Sequence, residues 1–229
     1  MPTAIIIPAH NERATLARVI ARIECPGEWR AFVVDDGSTD GGGSTVESLA
    51  EVEVIRHERP RGYGAALLSG FSVAAARGFE TVVTLDADLQ HEPETVAVLV
   101  RRLDGADIVT GTRWHAESEL RCEPPAQRRE MNRRVLGLIN GVTNYNLTDA
   151  MCGFRAYTAD ALRRLALKEE GYGINFEIWV KAARLGLSVV EVPVPVIYPE
   201  VAKPIGGGLD DPEVRYRYYE EVVSREVGR

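Results

Sequence analysis

Two aspartates separated by one residue follow an apolar stretch of the chain. Asp86 and Asp88 come directly after residues 81–85, and Gln90 adds a carboxamide two positions later. Closely spaced carboxylates repel each other and therefore need a proton or a cation. Carboxylate and amide oxygens are the hard ligands that Mg²⁺ or Mn²⁺ prefer, so we predict that these three residues bind a metal and its diphosphate. The pair alone is equally consistent with two solvated loop aspartates.

Three further polar segments each lie just beyond a predicted strand. They occupy residues 8–12, 34–40 and 61–64. Each could be an ordinary turn, because Asp, Gly and Ser favour turns. However, the carboxyl ends of parallel strands meet at one edge of an open α/β sheet, where ligands bind. Four polar segments at that edge indicate a binding site.

The elements that must position these residues alternate between strands and helices. This alternation predicts an α/β protein with a mostly parallel central sheet and helices on both faces. We predict strands at residues 4–7, 31–34, 52–55, 81–85, 107–110 and 188–192, with 194–197 extending the sheet. We predict helices at residues 12–23 (with Asn11 as N-cap), 45–50, 64–77, 93–103, 127–142, 158–165, 176–185 and 215–225.

The composition excludes several functional classes. The 229 residues carry a formal net charge of −7, which argues against nucleic-acid binding because that requires a basic surface. The three cysteines form no CxxC pair and are expected to be reduced thiols. No stretch has the length of a membrane span and no targeting segment is visible. We expect a cytoplasmic protein, with peripheral contact at the inner face of the membrane as a further option.

Seven short motifs occur in order along the chain. They are PAHNE at 8–12, VDDGSTD at 34–40, RGYG at 61–64, DADLQH at 86–91, GTR at 111–113, TDAMCGFR at 148–155 and GYGINFE at 171–177. In this order they resemble the family-two glycosyltransferases, and the most similar branch is the dolichyl- or polyprenyl-phosphate sugar (mannose or glucose) synthases. The resemblance implies a single-domain, Rossmann-like GT-A fold and inverting, metal-dependent transfer of a sugar from a nucleotide diphosphate sugar such as GDP-mannose or UDP-glucose.

The resemblance also implies roles for residues that match the motifs. Those expected to bind the nucleotide sugar are Pro8, Ala9, His10, Glu12, Asp35, Asp36, Arg61, Gly64, Asp86 and Ala87. Asp35 and Asp36 would contact the base or ribose. Asp86, Ala87 and Asp88 would straddle the diphosphate, with Asp88 in the catalytic centre. Arg113 would reach a phosphate of the donor or the acceptor.

The acceptor is expected to carry a phosphate, such as polyprenyl phosphate. Transfer to a hydroxyl normally needs a general base, whereas a phosphate nucleophile is already anionic. The Glu-Asp base motif and the Gln-x-x-Arg-Trp signature of processive sugar polymerases are not evident. Asp149 remains a candidate catalytic base, although it could equally be a structural carboxylate. The residues expected on the acceptor side are Arg128, Arg129, Arg133, Glu177 and Lys203.

The arginines of this set lie on the amphipathic helix predicted at residues 127–142. Their basic face could hold an acceptor phosphate or contact a membrane surface, and the alternative is a solvated face of an ordinary helix. We expect one domain over residues 1–229. Its nucleotide-sugar half would be residues 1–113, its acceptor half residues 114–198, and its C-terminal loop and helix residues 199–229.

Two departures from the polyprenyl-phosphate branch keep other acceptors open. The Arg-x-x-Gly-x-Ser-Lys stretch of that branch is matched here only by Lys203, and C-terminal membrane helices are absent. A soluble hydroxyl compound or a phosphorylated metabolite is therefore an alternative acceptor. A nucleotidyltransferase is disfavoured because residues 8–12 contain no glycine. A non-catalytic nucleotide-binding protein is disfavoured by the intact Asp86, Asp88 and Gln90.

Overall fold

The computed structural model describes residues 2–198 and 205–228 of the chain, and seven strands form its centre. The strands are β1 Thr3–Ala9, β2 Trp29–Asp36, β3 Val52–His57, β4 Thr81–Thr84, β5 Ile108–Thr112, β6 Arg155–Thr158 and β7 Val189–Pro193. They form one sheet in the order β3-β2-β1-β4-β6-β5-β7. β6 is antiparallel to both of its neighbours, and all other strand pairs are parallel. The predicted mostly parallel sheet is therefore confirmed.

In the part of the chain that the structure describes, seven α-helices cover the two faces of this sheet. They are α1 Leu16–Ala21, α2 Tyr63–Ala76, α3 Val96–Arg102, α4 Ala126–Val142, α5 Ala159–Leu165, α6 Ile174–Arg184 and α7 Pro212–Val227. Along β1 the side chains alternate: Ile5 and Ile7 pack in the same cluster as α1 and α3, whereas Ile6 packs in the cluster that contains α2, α4, α6 and α7. The prediction of helices on both faces is confirmed.

Several predicted boundaries differ from the structure. Asn11 is not an N-cap: its backbone is left-handed (φ 56°), and α1 begins four residues later than residue 12, after Thr15. Residues 45–50 do not form the predicted helix: Thr45 ends the short 3-10 helix Gly43–Thr45, and residues 46–50 are turns and irregular chain. In the predicted extension at 194–197, only Val196 forms a β-bridge, with Leu120. Loop hydrogen bonds and packing decided these boundaries rather than local periodicity.

The antiparallel strand β6 was not predicted from the sequence. It has four residues, and it pairs with both β4 and β5 in the interior of the sheet. Such a short strand gives little periodic signal. It joins residues of the predicted acceptor half directly to the sheet that carries the donor motifs. Among the described residues, no helix combines the length and apolar character needed to cross a membrane.

Candidate active site

The carboxyl ends of β1 and β2 are joined by a network of hydrogen bonds. His10 Nδ1 donates to the backbone carbonyl of Asp36 (2.8 Å). The Asn11 amide donates to Ser38 Oγ (3.0 Å), and Asn11 Oδ1 accepts from the Thr39 amide (2.9 Å). The left-handed backbone of Asn11 thus serves to link the two loops, which is a role that asparagine tolerates better than most residues.

Pro8 and Ala9 are the last residues of β1 and pair with the end of β2. Glu12 Oε2 accepts from Thr15 Oγ1 (2.8 Å), so Glu12 lies where the loop turns into α1. The structure therefore brings together the first two segments predicted to bind the nucleotide.

The carboxylate of Asp36 is held inside the protein. Oδ1 accepts from His57 Nδ1 (2.6 Å) and from the amide of Arg61 (2.9 Å), while Oδ2 accepts from the amide of Gly62 (2.8 Å). A carboxylate with these partners fixes the loop at residues 61–62. Asp35 is also buried, and its Oδ1 accepts from the Ser38 amide (2.9 Å).

Gly62 and Gly64 are required by a close approach of two backbone segments. A Cβ at Gly64 would lie 2.3 Å from the carbonyl oxygen of Glu169, and a Cβ at Gly62 would lie 2.8 Å from that of Glu170. The amide of Ala65 donates to the same Glu170 carbonyl (2.9 Å). Gly64 thus contacts the segment at residues 169–171 from the predicted acceptor half. The side chain of Arg61 forms an exposed ion pair with Glu170 (2.9 Å).

Asp86 lies at the end of β4 beside two stacked tyrosines. Tyr63 donates its hydroxyl hydrogen to Asp86 Oδ1 (3.1 Å), and its ring stacks on Tyr172 with centroids 5.1 Å apart. Burial and the negative charge of Asp88 raise the pKa of Asp86 to about 7. A carboxyl group with this pKa readily exchanges its proton for a cation near neutral pH.

Asp88 is oriented by the residues that follow it. Its Oδ1 accepts from the Gln90 amide (3.0 Å), and its Oδ2 accepts from Gln90 Nε2 (2.5 Å). Leu89 between them has a left-handed backbone (φ 63°), which costs about 1 kcal/mol or more for a residue with a side chain. Ala87 is buried in the core beneath the loop. The strained loop presents both carboxylates at the sheet edge.

The two carboxylates fit a divalent cation that a ligand helps to coordinate. No group of three or more His, Cys, Asp or Glu side chains in the described part of the chain could hold a metal by itself. Mg²⁺ and Mn²⁺ are commonly bound by one or two carboxylates, with phosphates and water as the other ligands. Burial and the charge of Asp88 raise the pKa of Asp86 even though Arg113 and Arg155 oppose the rise, so the pair can take up further positive charge. Asp86, Asp88 and Gln90 therefore suit a cation that arrives with a diphosphate.

His91 belongs to this site although the sequence did not single it out. Its ring is buried, tilts against Phe154 (5.2 Å between centroids) and places Nε2 3.8 Å from Asp86 Oδ2. Burial and the positive charge of Arg113 lower its pKa to about 3, so the imidazole is neutral.

Arg113 and Asp149 form a buried bidentate ion pair. Arg113 Nε donates to Asp149 Oδ2 (2.7 Å) and Nη2 donates to Oδ1 (3.1 Å). The Met151 amide donates to the same carboxylate (3.1 Å), and Asp149 is fully buried. Glu191 accepts from the amides of Thr148 and Asp149 and thereby holds this loop. These contacts favour the structural alternative for Asp149.

The arginines of α4 differ in their surroundings. Arg129 pairs with Glu123, and Arg133 pairs with Glu130 (2.6 Å), both on the exposed surface. Arg128 is half-buried. Burial raises the pKa of Tyr172 and the pKa of Tyr198, and the positive charge of Arg128 opposes both rises. Of the three, Arg128 is the one whose charge acts on tyrosines of the site.

Two other residues expected on the acceptor side have different outcomes. Glu177 is fully buried, and its carboxylate accepts from the amides of Lys168 and Glu169 and pairs with Lys181 (2.7 Å). This arrangement fixes the loop before Gly171. Lys203 lies outside the described residues.

Sequence reasoning missed the tyrosines of the site. Tyr63 and Tyr172 each lie beside a glycine in a short motif, and Tyr198 follows the last strand. The Tyr198 hydroxyl lies 3.4 Å from Arg113 Nη1. The sequence signal for the stacked tyrosines was that Tyr63 and Tyr172 each lie between two glycines.

Comparisons with known proteins show which family the chain resembles. The sequence model of the family described as "Glycosyl transferase family 2" matches residues 4–166. An undecaprenyl-phosphate mannosyltransferase of Micrococcus luteus is 32% identical over 91% of this chain and 89% of its own length. A polyprenol monophosphomannose synthase of Mycolicibacterium smegmatis is 33% identical over 84% of this chain and 76% of its own.

A solved structure shares the fold. Glucosyl-3-phosphoglycerate synthase from Mycobacterium tuberculosis, in complex with Mn²⁺, UDP and glucosyl-3-phosphoglycerate, superposes with a TM-score of 0.75. It is 24% identical, and the match covers all of this chain and 80% of that one. The expected GT-A fold is confirmed. On its family match and its relatives, this chain belongs to glycosyl transferase family 2 and is a glycosyltransferase.

Proposed function

We propose that this chain transfers a sugar, with inversion and with a divalent cation, from a nucleotide diphosphate sugar to the phosphate of a polyprenyl phosphate. The observation that carries the proposal is the Asp86 and Asp88 pair at the end of β4, within reach of the positive charge of Arg113. The names of the two relatives, both of which specify mannose and a polyprenyl carrier, support this acceptor class and favour a mannose donor of the GDP-mannose type over UDP-glucose.

The donor nucleotide is proposed to lie over residues 8–12 and 35–40. We assign contact with the base or ribose to Asp35, whose Oδ2 lies where a Cβ on Gly43 would come within 2.7 Å, so the absence of a side chain at Gly43 leaves this oxygen uncovered on that side. Asp36 is assigned a positioning role, since its carboxylate is engaged by His57 and by the loop amides of Arg61 and Gly62.

Asp86, Asp88 and Gln90 would hold Mg²⁺ or Mn²⁺. When bound, the cation supplies positive charge that offsets the negative charge developing on the leaving diphosphate. The chain's own contribution is to orient the ligands: Tyr63 donates to Asp86, and Gln90 donates to Asp88. Such preorganised groups need no reorganisation during the reaction.

The acceptor phosphate is met by positive charge from both halves, Arg113 and Arg128, rather than by a base. In the transfer, a phosphate oxygen of the acceptor bonds to the anomeric carbon while the bond from that carbon to the diphosphate breaks. The nucleoside diphosphate leaves, and no proton has to be removed from the nucleophile. Both oxygens of Asp149 accept hydrogen bonds from Arg113, which is consistent with a reaction that needs no general base. We assign Arg113 and Arg128 to the acceptor phosphate.

Calorimetric titration of GDP, UDP and their mannose and glucose conjugates, with Mn²⁺ and then with EDTA, tests the donor site. We expect one nucleotide to bind in a metal-dependent manner, and Asp88→Ala to weaken this binding by about a hundredfold, comparable to the largest effects of outer partners of metal ligands. Asp104→Ala, which removes an exposed carboxylate, is the matched control. Equal binding with Mn²⁺ and with EDTA would refute the metal site.

A further inference from the structure

The C-terminal helix buries an arginine among apolar side chains. Arg215, Tyr219, Val222 and Val223 are spaced by three and four residues and face the core of the protein. Only 5% of Arg215 is exposed. By contrast, Arg217 on the same helix is exposed. An arginine on the buried stripe of a helix is unusual and needs a compensating anion.

No such anion contacts Arg215 within residues 2–198 and 205–228. Its Nε has no hydrogen-bond partner there, and it forms no ion pair there. Burial lowers the pKa of Arg215 and the like charge of Arg128 lowers it further, although Tyr219, Asp210 and Asp211 oppose the shift from nearby without pairing with its side chain. A buried charge without a partner destabilises a fold, so its presence points to a bound anion.

Arg128 is a second positive charge that acts on Arg215, and we call these two residues the arginine cluster. The neighbouring arginines of α4 each have a carboxylate: Arg129 has Glu123, Arg133 has Glu130 and Arg134 has Glu213. Arg128 forms no ion pair with any residue that the structure describes. The Arg134–Glu213 pair (2.5 Å) and the stacking of Arg134 on Tyr216 (3.9 Å) fasten α4 to α7, which holds the two arginine-bearing faces together.

Arg128 is linked to the acidic pair of the donor site through Tyr172. Burial and the charge of Asp86 raise the pKa of Tyr172 to about 12, and Arg128 opposes this rise. The Tyr172 ring in turn stacks on Tyr63, which binds Asp86. An anion held by the arginines would therefore lie beside the donor diphosphate but apart from it.

We propose that Arg215 is an acceptor-binding residue, which shares one phosphate group of the acceptor with Arg128. This inference rests on the proposed function. Two guanidinium groups that repel each other in the free protein become favourable when a phosphate dianion accepts hydrogen bonds from both. The cation held by Asp86 and Asp88 would bind the donor diphosphate, so Arg128 and Arg215 are free to bind the acceptor phosphate.

The test compares Arg215→Gln with Arg217→Gln, which removes an exposed charge from the same helix. Binding of farnesyl phosphate and of inorganic phosphate is measured by calorimetry, alongside Mn²⁺-dependent binding of the nucleotide. We expect Arg215→Gln to weaken binding of both phosphates by about tenfold to a hundredfold, because a charged hydrogen-bond partner is lost. Nucleotide affinity should stay within about twofold, and Arg217→Gln should match the wild type.

Thermal unfolding separates binding from a structural role. Without ligand, we expect Arg215→Gln and the apolar Arg215→Met to melt no lower than Arg217→Gln, because they remove an unpaired buried charge. Farnesyl phosphate should raise the melting temperature of the wild type but not of these two variants.

Three results would overturn the inference. They are unchanged phosphate binding by Arg215→Gln, a loss of nucleotide rather than phosphate affinity, and a lower melting temperature in both Arg215 variants without any effect on binding. If the wild type instead binds no nucleotide with Mn²⁺, the proposed function fails. Phosphate binding that depends on Arg215 would still be measurable in that case.

Discussion

At the residue scale, the acidic pair makes metal binding depend on pH. Burial and the charge of Asp88 raise the pKa of Asp86 to about 7, so below that pH a proton competes with the cation. We expect Mn²⁺ affinity to fall about tenfold per pH unit below this value and to level off above it. Mn²⁺ titrations with saturating nucleotide sugar, whose diphosphate diester does not titrate in this range, measure the effect.

Asp86→Asn is the control for this pH dependence. The variant should bind Mn²⁺ more weakly and lose the slope, because the competing proton has been removed. Equal wild-type affinity about one unit below and one unit above the pKa of Asp86 would contradict the assignment.

The Asp149 carboxylate is predicted to act by holding Arg113. Asp149→Asn leaves Arg113 buried without a counter-charge, which should lower the free energy of unfolding by about 3 kcal/mol and raise the KM for the acceptor more than it lowers kcat. Denaturant unfolding and steady-state kinetics measure both effects. Asp160→Asn, which breaks exposed pairs with Arg163 and Arg164, should change stability by no more than about 1 kcal/mol. A pure kcat loss with unchanged stability would instead indicate a general base.

Residue types and spacing predicted the acidic pair, because only one residue separates Asp86 from Asp88. They could not tell that Asp36 and Glu177 are engaged by backbone amides, since those amides belong to separate loops that only the fold brings to the carboxylates. Nor could they separate Arg128 from Arg133, which lie five residues apart on one helix. The surface ion pair of Arg133 with Glu130, and the action of the Arg128 charge on Tyr172 and Arg215, distinguish them.

At the element scale, the loop that begins α2 depends on close contact with residues 169–171. In Gly64→Ala, the new Cβ would lie 2.3 Å from the Glu169 carbonyl, so we expect a loss of about 1–3 kcal/mol of stability and weaker nucleotide binding. Gly137→Ala in α4, where nothing lies within 4 Å of the new Cβ, should stabilise by about 0.5–1 kcal/mol. Denaturant unfolding compares the two, and equal effects would show that the contact is not tight.

The donor-side strands could be predicted from their apolar runs, and α4 from its periodicity. The strand β6 could not, because its four residues include Arg155 and follow a loop motif directly. Arg155 is buried with its guanidinium 4.2 Å from the Trp179 ring centroid, so a charged residue occupies an interior strand. Tertiary packing, rather than local pattern, makes this segment a strand.

At the scale of the whole molecule, an acidic protein concentrates positive charge at one site. The net charge is −7, yet Arg113 acts on Asp86 of the acidic pair, and Arg128 acts both on Tyr172 beside that pair and on Arg215. Because β6 joins β4 to β5 within one sheet, donor and acceptor sides are parts of one framework. This arrangement suits a reaction between two anionic substrates that must be held close together.

The most direct test of this account is transfer of radiolabelled sugar from GDP-mannose, with UDP-glucose in parallel, to a polyprenyl phosphate. The account predicts a labelled lipid phosphate that forms with Mn²⁺ or Mg²⁺, disappears with EDTA and falls by at least about a hundredfold in Asp88→Ala. Asp104→Ala should transfer sugar at the wild-type rate. Undiminished transfer in Asp88→Ala with EDTA present, or transfer to the unphosphorylated polyprenol instead, would contradict it.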